Sequence, residues 1–166
     1  MFTQIFLHTP VWVWALLVGL IALGYSQTRS RTISLGRLVI IPVAMMVLSL
    51  YGTLSAFGPS PTVLGAWLAA CAMVASLVAL RTAPAGTAYD GVHRRYTIPG
   101  SWLPLVVILG IFCTKYAVGV TLAMHSAMAQ HTLFATLVGT LYGLFSGFFA
   151  GRALRLWRLT LTPTSI

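Results

Sequence analysis

Residues 131–151 read HTLFATLVGTLYGLFSGFFAG, a stretch that contains no acidic residue, lysine or arginine. An apolar segment of about 20 residues is long enough to cross the hydrocarbon core of a membrane as an α-helix. The rest of the chain has the same character, since 58% of its 166 residues are hydrophobic and 7% are charged. Soluble domains are usually about 25% charged. The composition therefore predicts an integral membrane protein and excludes a soluble domain.

Further apolar segments precede this one, so the sequence predicts an all-α polytopic membrane protein, a bundle of five transmembrane helices. The predicted spans are residues 10–25, 38–57, 62–80, 102–124 and 131–151. The Gly/Pro-rich segment 57–61, FGPSP, predicts a tight turn that makes spans two and three an antiparallel hairpin. No stretch remains for a second domain, and we expect residues 1–166 to form a single membrane domain.

The arginines lie in three groups, each beside the end of a predicted span. They are Arg29, Arg31 and Arg37 after span one; Arg81, Arg94 and Arg95 after span three; and Arg152, Arg155 and Arg158 after span five. With five spans, all three groups fall on one side of the membrane, which the positive-inside rule identifies as the cytoplasm. We therefore predict an external N-terminus and a cytoplasmic C-terminus. Such short basic groups favour contact with anionic lipid headgroups over a nucleic-acid partner.

Glycines recur at every fourth position of the last span, as Gly139, Gly143, Gly147 and Gly151. This spacing places them on one helix face, where a second backbone can approach closely. We predict that the resulting glycine zipper packs against a neighbouring span. A homodimer seam is the alternative.

Lys115 is the sole lysine of the chain and lies near the middle of predicted span four. A charged group at the centre of a spanning helix costs roughly 2.5 to 3.5 kcal/mol on insertion scales, which makes it a candidate functional residue. The single carboxylate of the chain, Asp90, lies in the loop between spans three and four. The counter-charge for Lys115 is therefore predicted to come from a lipid, a substrate anion or a partner subunit, unless the lysine is a neutral structural residue.

Hydroxyl groups of other spans are predicted at a depth similar to that of Lys115. They are Ser49, Tyr51, Thr136 and Thr140. Together with Lys115 they form a predicted polar site for an anionic or amphipathic ligand. Because the spans contain no Asp or Glu, cation coupling and a retinal-type Schiff base are both disfavoured.

Histidine and methionine residues gather at the predicted external face, as His8, His125, Met128 and His131. Imidazole and thioether groups are suitable ligands for copper or haem iron. A metal or haem site is therefore a rival prediction, and a small oligomeric transporter is a third. No nucleotide-binding, zinc-protease or nucleophile motif occurs, so the sequence does not favour an enzyme, and it indicates no other cofactor.

The loop of residues 81–101 is the one sizeable polar segment. Tyr89-Asp90-Gly91 followed by residues 94–98, RRYTI, predicts a short β-hairpin with its turn near Asp90-Gly91. Asp90 is expected to pair with Arg94 or Arg95.

Three segments carry a family resemblance: residues 2–14 (FTQIFLHTPVWVW), 100–105 (GSWLPL) together with Lys115-Tyr116, and 151–157 (GRALRLW). Together they resemble a family of small five-span bacterial inner-membrane proteins of unknown function. The loop that ends in Gly100-Ser101-Trp102 is also distantly similar to CcdC-like membrane proteins. The resemblance implies a multi-pass protein of the bacterial inner membrane, and it assigns no activity to any residue.

A reporter fused at Ala85 tests the predicted orientation. We expect a cytoplasmic signal, because the arginines near this loop favour retention on that side. The same reporter at Ser60, in the arginine-free turn, should give an external signal. An external signal at Ala85 would contradict the orientation.

Overall fold

The computed structural model describes residues 10–82, 84–90, 93 and 95–161. We number its elements in chain order. The helices are α1 (Val11–Ser26), α2 (Leu35–Phe57), α3 (Pro61–Leu80), α4 (Leu103–Met124) and α5 (Thr132–Leu161), and the strands are β1 (Arg31–Ser34), β2 (Ala88–Asp90) and β3 (Arg95–Ile98). A short 3-10 helix, Ser126–Gln130, lies between α4 and α5.

The described residues confirm a helical fold with apolar helices of membrane-spanning length. Four segments are long and apolar enough to cross a membrane, namely Gly36–Phe57, Pro61–Leu80, Leu103–Met124 and Thr132–Arg158. The first predicted span corresponds to α1, which is apolar but has 16 residues and is shorter than the others. The helix of span five continues past its predicted end at residue 151 to Leu161. Charged residues end an apolar stretch without ending a helix, and no proline follows before Pro163.

The chain divides into two compact units. The two-helix unit consists of the described residues of 1–30 and 100–126, and it contains α1 and α4. The three-helix unit consists of the described residues of 31–99 and 127–166, and it contains α2, α3, α5 and the three strands.

Contact between α3 and α5 dominates the three-helix unit. Each glycine of α5 faces a residue of α3: Gly139 faces Val63, Gly143 faces Trp67, Gly147 faces Cys71 and Gly151 faces Ala75. Both series advance by four residues in the same direction, so α3 and α5 run parallel. A Cβ atom at Gly143 or Gly147 would overlap the carbonyl oxygen of the facing residue. The glycines of α5 have no side chain, and this permits the backbones of α3 and α5 to approach each other closely.

A small antiparallel sheet lies at one end of the three-helix unit. β3 is its central strand and pairs with β2 and β1, with Tyr96 opposite Tyr89 and Ile98 opposite Arg31. The β2–β3 pairing confirms the predicted hairpin, although Gly91 and Arg94 lie outside the described residues. Asp90 bonds to His93, with 2.7 Å between its Oδ2 and the imidazole Nδ1. The sequence did not predict β1, because a four-residue strand depends on its partner.

The sheet packs against the end of α5. The buried side chains of this contact are Ile33, Leu38, Tyr96, Ile98 and Leu156. They come from β1, α2, β3 and α5, so one apolar cluster joins four elements. The extension of α5 beyond residue 151 is therefore held by tertiary packing.

In the two-helix unit, the end of α1 meets the start of α4. The Ser101 amide donates to the Gln27 carbonyl at 3.1 Å. Nearby, Gly100 lies against the Thr28 carbonyl and leaves no room for a Cβ atom. Gly24, one turn earlier in α1, lies against Leu105, one turn later along the chain from Ser101, so the two helices are antiparallel.

Replacing Gly143 by alanine tests the α3–α5 contact. The methyl group would overlap the Trp67 carbonyl oxygen, and overpacking of this kind typically costs about 1–3 kcal/mol. We therefore expect Gly143→Ala to lower the free energy of unfolding in detergent, measured from the midpoint of SDS-induced unfolding.

Gly65→Ala is the matched control, because nothing lies within 4 Å of a Cβ atom at this α3 position. Alanine has the higher helix propensity, so this variant should be neutral or more stable. Equal unfolding midpoints for the two variants would contradict the packing described above.

Candidate functional site

Lys115 lies in α4 of the two-helix unit and is exposed. It is the thirteenth residue of the helix, so at 1.5 Å per residue it lies about 18 Å from the first residue, Leu103. Phe112 and Tyr116, which are near Lys115 in the sequence, stack their aromatic rings on each other with centroids 6.2 Å apart. The structure thus places the lysine within a helix of membrane-spanning length.

The other residues of the predicted ligand site belong to the three-helix unit. Ser49 and Tyr51 lie in α2, and Thr136 and Thr140 lie in α5. The Thr140 hydroxyl donates to the Thr136 carbonyl at 2.8 Å, a bond within its own helix. Tyr51 is 69% exposed, whereas Ser49 faces α3 and α5. The grouping of these residues with Lys115 stays a prediction.

Ser49 joins three helices through its hydroxyl group. The indole N–H of Trp67 in α3 donates to Ser49 Oγ at 3.0 Å. Ser49 Oγ in turn donates to the Tyr142 carbonyl of α5 at 3.2 Å. The Ser146 hydroxyl donates to the same carbonyl at 2.9 Å. A membrane interior offers no water to polar groups, so these bonds satisfy the indole and the hydroxyls within the protein.

The sequence pattern did not identify Trp67 and Tyr142 as partners of Ser49. A signal was present, because a buried indole N–H usually finds an acceptor and Trp67 lies within a predicted span. The identity of the acceptor depends on the turn between α2 and α3 and on the α5 contact. We assign Ser49 a packing role on this geometry, while any contact with a ligand stays a prediction.

The predicted metal ligands lie in different parts of the chain. His8 lies outside the described residues. His125 follows α4 in the two-helix unit, whereas Met128 and His131 belong to the three-helix unit. In the part of the chain that the structure describes, no three His, Cys, Asp or Glu residues form a group that could hold a metal ion. A site that includes His8 and the thioether of Met128 stays a prediction.

Arginines gather at the sheet end of the three-helix unit. We call Arg31, Arg37, Arg81, Arg152 and Arg155 the arginine cluster. Within it, the charge of Arg152 is close to those of Arg31 and Arg155, and the charge of Arg155 is close to that of Arg81. Burial lowers the pKa of Arg31, and the nearby charge of Arg37 lowers it further. The cluster is thus a concentrated positive patch.

Comparison with known proteins identifies a family. The model of a family of unknown function, DUF6622, matches residues 1–164. No curated protein and no solved structure shows significant similarity to the chain. The distant likeness to CcdC-like proteins stays a prediction.

Ser49→Ala tests the bonds that join the three helices. The substitution removes the acceptor of the Trp67 indole and should cost about 1 kcal/mol of unfolding free energy, a typical value for one such bond. The midpoint of SDS-induced unfolding measures this loss. In the Trp67→Phe background, Ser49→Ala should cost less, because the indole donor is already absent.

Ser55→Ala is the control on the same helix. Its hydroxyl is exposed and donates to the Gly52 carbonyl within α2, so its loss should leave the midpoint nearly unchanged. Full additivity of the Ser49 and Trp67 substitutions would argue against a bond between them.

Proposed function

The chain belongs to the DUF6622 family, whose function is unknown, and we propose that it is a non-enzymatic binding or accessory component of a membrane. Its ligand in this proposal is anionic or amphipathic, and Lys115 contributes to the binding site. The observation that supports the proposal is the position of this lysine within a helix of membrane-spanning length.

Charge balance supports an anionic ligand. The formal net charge of the chain is +9, with one acidic residue. That residue, Asp90, lies in a strand outside the candidate spans and bonds to His93. A charge near the middle of a spanning helix is costly. An anionic headgroup or a partner carboxylate near Lys115 would offset this cost.

We also propose that all five helices cross the inner membrane of a bacterium, with the N-terminus outside. Helix directions within each unit support the alternation that five spans require. The parallel α3 and α5 match spans three and five, which both run inward in this topology. The antiparallel α1 and α4 match spans one and four. In addition, β1, β3 and the end of α5 bring arginines from all three groups to the same end of the three-helix unit.

Lys115→Met tests the ligand proposal, because methionine keeps the length of the side chain and removes its charge. Native mass spectrometry of the detergent-purified protein should show loss of a co-purified anionic lipid or other anionic small molecule. Lys115→Arg retains the charge and should retain the bound molecule.

Size-exclusion chromatography accompanies this comparison, because a partner subunit would appear there as a change of mass. If Lys115→Met leaves expression, oligomeric state and bound molecules unchanged, the proposed site is wrong.

A further inference from the structure

The geometry points to a second binding site, at the arginine cluster, for an anion that carries a phosphate group. This site lies in the three-helix unit and uses none of the residues of the Lys115 site. It goes beyond the function proposed above. Three independent features of the unit support it.

The first feature is the way in which β1 and α2 present their arginines. Side chains alternate along a strand, so Arg31 projects from the same face of β1 as the buried Ile33. That face lies over the end of α5, because Ile33 and Leu156 belong to the same buried cluster. Arg37 precedes Leu38, another member of this cluster. Arg31 is therefore directed to the region of α5 that bears Arg152, and the charge of Arg37 is close to that of Arg31.

The second feature is the junction between the ends of α3 and α5. The guanidinium of Arg158 donates from Nη1 to the Ala79 carbonyl at 3.1 Å and fixes the two helix ends together. Arg81 follows α3 directly, and Arg155 lies one turn before Arg158 in α5. These positions explain why the charges of Arg81 and Arg155 are close to each other. The cluster thus continues from β1 across α5 to the end of α3.

The third feature is an unsatisfied hydrogen-bond donor on the Arg155 side chain. Its Nε atom is buried and has no hydrogen-bond partner among the described residues. An unsatisfied buried donor is costly, and more so when the group is charged. An oxygen atom of a bound anion would satisfy this donor and reduce the repulsion from Arg152 and Arg81.

The chemistry of the guanidinium group indicates the class of ligand. Arginine presents parallel N–H donors that match two oxygens of a phosphate group. Several guanidinium groups in one patch also supply the positive charge that a phosphate needs. The patch lies at the ends of the membrane-length helices α3 and α5, next to the residues at which their apolar segments end. A lipid headgroup phosphate and a phosphate on a soluble molecule share this chemistry.

The test compares the full-length protein with Arg152→Gln/Arg155→Gln. Phosphatidylglycerol, phosphatidylcholine and inorganic phosphate are the probes, and native mass spectrometry and thermal unfolding in detergent are the measurements. Loss of charged hydrogen bonds from two arginines should weaken phosphatidylglycerol binding about tenfold or more. Arg155→Lys keeps the charge but loses Nε, and should give an intermediate loss.

Arg29→Gln/Arg95→Gln is the matched control, since it removes the same charge from two exposed arginines outside the cluster. Selective loss of phosphatidylglycerol in the cluster variant, without an effect of inorganic phosphate, supports a lipid headgroup. Thermal stabilisation of the wild type by inorganic phosphate, absent in the cluster variant, supports a soluble phosphate compound. Equal losses in the cluster and control variants, or no loss in either, would overturn the proposal.

Arg81→Gln is a second variant, for use if the double variant does not fold. Arg81 is exposed and follows α3, so its substitution should leave the fold intact. A selective loss of phosphatidylglycerol or phosphate binding in this variant supports the site, and wild-type binding would overturn it. The Lys115→Met experiment changes a residue that is not part of the arginine cluster, so failure of one proposal is distinguishable from failure of the other.

Discussion

Close approach of the α3 and α5 backbones is the constraint on which the three-helix unit depends. The four glycines of α5 face a run of α3 residues with the same spacing, so a single register fixes the two helices along most of their length. Association within a membrane lacks the hydrophobic driving force that operates in water, and close packing takes its place. A methyl group at Gly143 or Gly147 would overlap a carbonyl oxygen of α3.

Polar bonds at the middle of the same unit follow from this register. Parallel packing of α3 on α5 brings Trp67 near Tyr142, and the hydroxyl of Ser49 in α2 bonds to both. Ser49 is therefore a packing residue in the structure, although its depth made it a candidate for ligand binding. In a membrane interior, a hydroxyl group at a helix interface is commonly used by the neighbouring helices, because unsatisfied polar groups are costly there.

The packing of α5 also places arginine side chains together at the sheet end of the unit. α5 extends beyond its apolar stretch, packs on the sheet through Leu156 and bonds to the end of α3 through Arg158. These contacts bring together arginines that are distant in the sequence. A chain with one acidic residue cannot balance this cluster internally. The positions that indicate orientation in a membrane thus also create a patch suited to an anion.

By itself, the sequence determined the apolar helical character of the chain, the approximate positions of the helices, the β2–β3 hairpin and the place of Lys115 within an apolar helix. Those features depend on local apolar length, turn residues and helical rise. Only the tertiary structure decided that the glycines face α3, that Ser49 bonds to Trp67, that β1 completes a sheet and that Arg31 approaches Arg152. Each of those contacts joins residues far apart in the chain, and local residue patterns do not specify which distant surfaces meet.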